Sequence, residues 1–360
     1  MKLIFYLFLI NIFKYNLISI IFGFLITLFV YKIFTTKPIK INKLSQKRNI
    51  KLSLLIPIYN EEDNLETFIY DLYNNKNAYD VIMINDMSTD SSLDILKNNK
   101  KKYGYKIINR KEKNGFVAGV LNEGIKHIHS DSNFIGVINS DSTLSKNLID
   151  NIFNILENNS IDVINLSNNP KSVNNIWQKI ASFEKKFKNK LFVNVEASLN
   201  NGYFINKKVL KEVNYWDETD ITEDLNLNLK IKEKGYIIRQ SNLNIYDDTP
   251  DTLNKLLNQK YRWVKGDIVN RFRKKPVDLY EFIINIYYLF PLYTLFCLFT
   301  FNLIRNIFIL QFLIIISESL IYYNFDSFNN IIEAIIYSLS QFLFHIYFFI
   351  RFSLDSENTW

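Results

Sequence analysis

Five residues, Gln259-Lys260-Tyr261-Arg262-Trp263, stand just before a long apolar stretch. Arg262 offers a rigid fork of donors that suits a phosphate better than the point charge of Lys260. Trp263 suits the apolar face of a sugar ring. It equally suits an interfacial anchor, because tryptophan concentrates at membrane boundaries. Upstream, Thr222-Glu223-Asp224 opens a helix pattern, Leu225, Leu227, Leu229 and Ile231, that runs to Lys234-Gly235. A carboxylate held there by rigid backbone can deprotonate a hydroxyl within hydrogen-bond reach. A second reading stays open, in which Thr222 caps the helix and Glu223 and Asp224 are ordinary first-turn acids. Two apolar runs also end in acids and amides, at Asn85-Asp86-Met87-Ser88-Thr89-Asp90 and at Asn139-Ser140-Asp141-Ser142. Carboxylates in such places accept hydrogen bonds from a base or ribose, or hold a divalent cation that bridges a diphosphate.

The elements that must position these residues alternate. Residues 52–56 (LSLLI) form a short apolar run ended by Pro57, the pattern of a strand buried on both faces. A helix pattern follows through Leu65, Phe68, Ile69 and Leu72. A strand over Asp80 to Ile84, a helix over Ser91 to Asn98, and strands at 105–108 and 134–138 come next. Strand, helix, strand, helix predicts an α/β domain with a mostly parallel sheet, and ligands of such sheets gather at the carboxyl ends of the strands. The acids and amides stand at those ends. Neither a GxGxxG after the first strand nor a GxxxxGK[ST] is present, so a nucleotide has to be held in another way.

Composition sets the surroundings. Apolar residues make up 48% of the 360 and aromatic residues 16%, enough for a full core and membrane segments. The single cysteine excludes an internal disulfide, and three histidines argue against a His-rich metal centre. His127 and His129 read as a polar turn. The net charge is +7, and much of it sits between Lys32 and Lys51, behind an apolar run. That placement favours lipid headgroups over nucleic acid.

Residues 15–31 read as an uncleaved anchor, with 3–13 a shorter apolar run before it. Phe282 to Ile304 carries no charge. Asn306 to Tyr323 is apolar but for Glu318, and Asn329 to Ile350 but for Glu333 and His345, which gives two or three spans. The expected order is an anchor over 1–35, a basic linker over 36–49, a domain over 50–275, a membrane region over 276–352 and a tail over 353–360. Lysines and arginines flanking the central domain place it on the cytoplasmic side of a multi-pass plasma-membrane protein.

With these motifs in this order, residues 50–270 resemble the family 2 glycosyltransferases of the GT-A fold. The resemblance is to the membrane-bound processive branch, which includes cellulose, chitin, hyaluronan and poly-N-acetylglucosamine synthases. It implies that Pro57, Tyr59 and Glu61 form the first donor loop, that Asp86 contacts the uracil, and that Asn139 and Asp141 fall on the Asp-x-Asp. The last acid of that motif helps hold Mg2+ or Mn2+ on the donor diphosphate. It implies Asp224, beside Glu223, as the general base. It also implies that Gln259 and Arg262 contact the diphosphate, that Trp263 shapes the acceptor end, and that Asn201-Gly202 belong to a loop closing on the acceptor sugar. Trp216 reads as mostly structural, and Asp248 lies on the way to Gln259.

Three positions depart from that pattern. Asn85 and Asn139 replace acids, and an amide stabilises a cation less than a carboxylate does. Phe116-Val117 stands where the family often has Gly-Lys, with Lys113 the basic residue that could reach in. The expected activity is inverting transfer of a hexose or N-acetylhexosamine from a UDP-sugar to a growing polysaccharide. A single transfer to a lipid acceptor, such as polyprenyl phosphate or diacylglycerol, is the alternative, because the C-terminal spans are few for a polymer channel unless the chain forms a homo-oligomer or recruits a membrane partner. A non-enzymatic descendant is supported only by Asn139 and Val117.

Overall fold

The computed structural model describes residues 44–74, 80–194 and 199–273, together with residues 340, 343, 344, 347, 348 and 351. Its contacts divide into two compact units. The sheet unit comprises Pro38–Gln178 and Val195–Asp251. The helical unit comprises Met1–Lys37, Lys179–Asn194 and Thr252–Trp360. This division runs within the segment 50–275.

The sheet unit is built on eight strands: β1 (Leu52–Ile58), β2 (Asp80–Asn85), β3 (Lys106–Asn109), β4 (Phe134–Val137), β5 (Thr143–Leu144), β6 (Val163–Pro170), β7 (Tyr203–Asn206) and β8 (Ile238–Asp247). Their order is β3-β2-β1-β4-β7-β6-β8-β5. The β3-β2-β1-β4 half is parallel throughout, and β6 pairs with β8 in parallel. Strand β7 runs antiparallel to both β4 and β6, and β5 antiparallel to β8. The sheet is therefore mostly parallel, as the alternating pattern predicts. The helices between the strands are α1 (Leu65–Tyr73), α2 (Ser92–Tyr103), α3 (Phe116–Ile125), α4 (Leu148–Asn158), α6 (Lys207–Glu212) and α7 (Glu223–Glu233). The helices α5 (Ile176–Asn194) and α8 (Leu253–Arg273) lie wholly or mostly in the helical unit.

Leu54, Leu55 and Ile56 of β1 are fully buried, because helices cover both faces of a parallel sheet. Helix α1 buries Leu65, Phe68, Ile69 and Leu72, an i, i+3, i+4, i+7 stripe. Each such side chain contributes roughly 1.5–3 kcal/mol by leaving water. Strand β1 continues through Pro57 to Ile58, two residues beyond the predicted end. The Leu55 and Pro57 carbonyls both point to the β4 side, accepting from Ile138 N–H and from Ser140 Oγ–H. Strand β4 has ended there, so the N–H that proline lacks has no ladder partner to lose.

At the β4–β7 switch Val137 pairs with Tyr203. The loop after β4 (138–142) and the loop before β7 (200–202) thus open at the same end of the sheet. Among the described residues no helix is long and apolar enough to cross a membrane. The apolar stretches 3–13, 15–31, 282–304 and 306–323, and most of 329–350, lie outside the described residues.

Candidate active site

Two loops at the carboxyl ends of β1 and β2 are laced together. Asn60 Oδ1 accepts from Thr89 N–H at 2.8 Å, and Glu61 N–H donates to Ser92 Oγ at 2.8 Å. Ser91 N–H donates to Glu62 Oε2 at 2.9 Å, and Glu62 N–H to Asp90 Oδ2 at 3.1 Å. Asn60 and Met87 sit in the left-handed region at φ 56° and 59°, which lets both loops turn within one residue. Tyr59 is 47% exposed at the mouth of these loops. The Lys113 ammonium lies 3.9 Å from its ring centroid. Lys113 therefore reaches the loop that follows β1, while Phe116 and Val117 stand exposed at the start of α3. Phe116 has φ 48°, a conformation uncommon for a bulky residue.

Asp86 forms an ion pair with Arg110 in which both side chains are nearly buried. Arg110 Nη2 also donates to the Asn114 carbonyl at 2.7 Å and to Asn114 Oδ1 at 2.6 Å. Beside them Asn85 Nδ2 donates to Asn109 Oδ1 at 2.7 Å. An amide at position 85 thus has a local partner of its own on β3.

Asp141 collects the negative charge of the site. Burial pushes its carboxyl up to about 7, and Asp247, Glu61 and Asp248 reinforce the rise while Lys171 opposes it. Asp141 Oδ1 is buried without a hydrogen-bond partner. Burial also raises Glu61, with Asn64 and Lys171 working against it. Lys171 donates to Asn64 Oδ1 and pairs with Asp248 at 3.6 Å. Among the described residues no three His, Cys, Asp or Glu side chains converge on one metal position. Asp141 nevertheless fits Mg2+ or Mn2+ bound mainly by substrate phosphates and water, for which one or two carboxylates suffice. Its unpartnered oxygen and the uncompensated charge around it are what such a cation would relieve.

The amide of Asn201 is engaged within the protein. Its Oδ1 accepts Asn139 N–H at 2.9 Å, and its Nδ2 donates to Ser142 Oγ and Asp247 Oδ1, both at 2.7 Å. Gly202 turns the chain at φ 81° over Ile245 and Leu166, where a Cβ would meet Ile245 Cδ1 at 2.6 Å.

Glu223 and Asp224 open α7. Asp224 Oδ1 accepts from Leu225 N–H at 2.7 Å, within the field of the helix N-terminus. Thr222 occupies the N-cap position but makes no side-chain cap bond. Asp220 does the fastening, with Oδ1 accepting both Thr222 N–H and Thr222 Oγ–H and Oδ2 accepting from Asn226 Nδ2. Tyr203 lies close enough for both acids to act on it. Burial, Glu223 and Asp224 hold its phenol well above the usual value, and the Trp216 indole donates to its oxygen at 2.7 Å. Trp216 is buried, in keeping with its structural reading.

The helical unit holds the remaining predicted residues, all on α8. Gln259 and Trp263 are half-buried and Arg262 is exposed. The Lys188 and Lys260 ammoniums lie over the Trp263 ring at 5.1 and 5.4 Å. Lys260 is buried and paired with Glu184 of α5. Arg351 stacks on Tyr261 at 4.1 Å and donates to Asn258 Oδ1 at 2.7 Å.

The sheet unit therefore brings Pro57, near the end of β1, together with Tyr59, Glu61 and Asp86 on the pair of loops beyond β1 and β2. It gathers Asn139, Asp141, Asn201 and Gly202 at the β4–β7 end, with Glu223 and Asp224 beside the Tyr203 that begins β7. Arg110, Lys171, Asp220 and Asp247 are additional members that no motif marks, and Asp247 adjoins Asp248. Tyr203 ends the stretch Asn200-Asn201-Gly202-Tyr203 that the resemblance marks as an acceptor loop.

The profile described as glycosyl transferase family 2 matches residues 53–213, and that of glycosyl transferase family group 2 matches residues 134–354. The chain belongs to the family 2 glycosyltransferases. It is 27% identical over 259 residues to a probable glycosyltransferase of Sulfolobus acidocaldarius, covering 66% of this chain and 54% of that protein. It is 26% identical over 249 residues to a poly-beta-1,6-N-acetyl-D-glucosamine synthase of Staphylococcus aureus, covering 64% of this chain and 59% of that one. The chain thus spans little more than half the length of these relatives. Its fold is shared with the mannosyltransferase PcManGT of Pyrobaculum calidifontis, solved with GDP-Man and Mn2+. The two superpose with a TM-score of 0.64 at 11% identity, over 95% of this chain and all of that one. The architecture is accordingly GT-A.

Proposed function

We propose that this chain is an inverting glycosyltransferase that moves a hexose or N-acetylhexosamine from a UDP-sugar to a growing polysaccharide at the cytoplasmic face of the plasma membrane. One observation carries the reading. Two carboxylate groups of different character, Asp141 among like charges and Glu223-Asp224 at a helix start, meet the same end of one sheet. Asp224 accepts the proton of the acceptor hydroxyl as that oxygen attacks the anomeric carbon from the face opposite the leaving group. Glu61 and the Asp86–Arg110 pair hold the nucleoside, and Asp141 faces the diphosphate. A bound Mg2+ or Mn2+ supplies charge neutralisation for the departing nucleoside diphosphate. In the helical unit, Arg262 carries a guanidinium suited to a phosphate, Gln259 an amide beside it in sequence, and Trp263 a ring suited to the face of a sugar.

Similarity to the S. aureus synthase supports the polymer reading. The test is product size, with purified membranes, Mn2+ and a panel of UDP-sugars that also includes GDP-mannose. A ladder of long products supports polymerisation, and a single lipid-linked sugar supports the lipid acceptor. No turnover of any donor by folded protein refutes sugar transfer. Asp224→Asn is expected to abolish turnover while UDP binding persists, and retained activity in D224N would remove Asp224 as the base.

A further inference from the structure

Asp247, the last residue of β8, is 8% exposed. Its Oδ1 accepts from Ser142 Oγ–H at 3.0 Å and from Asn201 Nδ2 at 2.7 Å, and its Oδ2 accepts from Asn168 Nδ2 at 2.6 Å. Asn201 in turn holds Asn139 N–H and Ser142 Oγ. One carboxylate therefore fastens both ends of the tetrapeptide 139–142, the loop before β7, and β6. The tetrapeptide contains Asp141. The loop before β7 leads in two residues to Tyr203, beside Glu223 and Asp224. A buried network of this kind is rigid when its members are satisfied and is lost as a unit when one is removed.

We propose that Asp247 is a positioning residue shared by the donor and acceptor ends of the site. It sets the 139–142 loop and the 200–202 loop in one register, so that binding at either end depends on the same carboxylate. This rests on the sugar-transfer reading above. Asp247 acts through its hydrogen bonds to Ser142, Asn201 and Asn168, and its oxygens are committed to those three side chains.

The test uses the full chain in detergent. UDP is titrated calorimetrically with and without Mn2+, and the KM for acceptor is measured alongside. Asp247→Ala is expected to weaken UDP binding in Mn2+ about tenfold, the size of one lost charge-assisted hydrogen bond, and to raise the acceptor KM. Asp247→Asn sets two amide donors against each other at positions 168 and 247. The double variant N168D/D247N restores donor against acceptor and is expected to recover most of the UDP affinity lost in D247N. This comparison holds even where D247A does not fold. Wild-type UDP affinity in D247A with a lowered melting temperature would show a merely structural role and overturn the proposal. A double variant no better than D247N would do the same, since the charge at 247 would then be what matters. A wild-type chain that binds neither UDP nor GDP in Mn2+ would overturn the sugar-transfer reading itself, and the inference with it.

Discussion

Asp141→Asn, studied in metal-free and nucleotide-free protein, isolates the cost of a carboxylate crowded by its own kind. Asp141 titrates near 3.8 in an unfolded chain and is pushed to about 7 in the fold by burial, Asp247, Glu61 and Asp248. Between those values the folded state holds a proton that the unfolded chain has released. Stability contributed by this group is complete below the lower value and is lost as pH rises through the upper one. At about 1.4 kcal/mol per pH unit, ionised Asp141 costs the fold at most ~4 kcal/mol at pH 8. Water reaching the partly exposed carboxylate reduces that figure. Asparagine keeps the shape and removes the charge. D141N is expected to melt with the wild type near pH 4 and above it at pH 8. At ~2–4 °C per kcal/mol the upper limit of the gap is on the order of 10 °C. Tryptophan fluorescence during heating in detergent with a chelator measures it. Mn2+ with UDP should raise the wild type at pH 8 and leave the variant nearly unchanged. A gap of equal size at both pH values, or a wild type more stable than D141N at pH 8, would refute the reasoning.

Two further outcomes follow from the same unit. Arg110→Met leaves Asp86 nearly buried without its counter-charge, and is expected to cost about 3–5 kcal/mol; thermal melting checks this, and R110K should fall between the two. Gly202→Ala combines φ 81° with a Cβ 2.6 Å from Ile245 Cδ1, and is expected to lose about 1–3 kcal/mol; a denaturant midpoint equal to the wild type would mean that the loop relaxes freely.

The parallel half of the sheet was legible because burial on both faces turns a strand into a near-continuous apolar run, as in Val81 to Ile84 and in Leu52 to Ile56, where Ser53 alone interrupts. Strands β6 and β8 were not legible. Their sequences, VINLSNNP and IRQSNLNIYD, are rich in Asn, Ser and Gln. Those side chains bond across the ladder, Asn165 to Gln240 at 2.9 Å and Asn169 to Asn244 at 2.8 Å, so the buried Val163, Ile164, Leu166, Ile238 and Ile245 are broken up by polar residues and give no continuous apolar run. The motif residues stand out in the sequence by type and order, and the resemblance they carry is what implies their roles. Asp220 and Asp247 were missed because their work is to hold other residues, and a supporting acid has no spacing of its own. Pro57 misled the boundary of β1 because its missing N–H matters only where a neighbouring strand is present.

The sheet order has a consequence for self-association. Its two rims are β3, of four residues, and β5, of two. Unpaired strand edges are templates on which another copy of a chain can add itself, and short rims blunt that hazard. Lys106 at the start of β3 is tied down to Asp80 and to the His127 carbonyl, which sets a charged side chain on one rim. Strand addition at either rim of the described sheet would gain few backbone bonds, so these edges offer little to an oligomer of this chain.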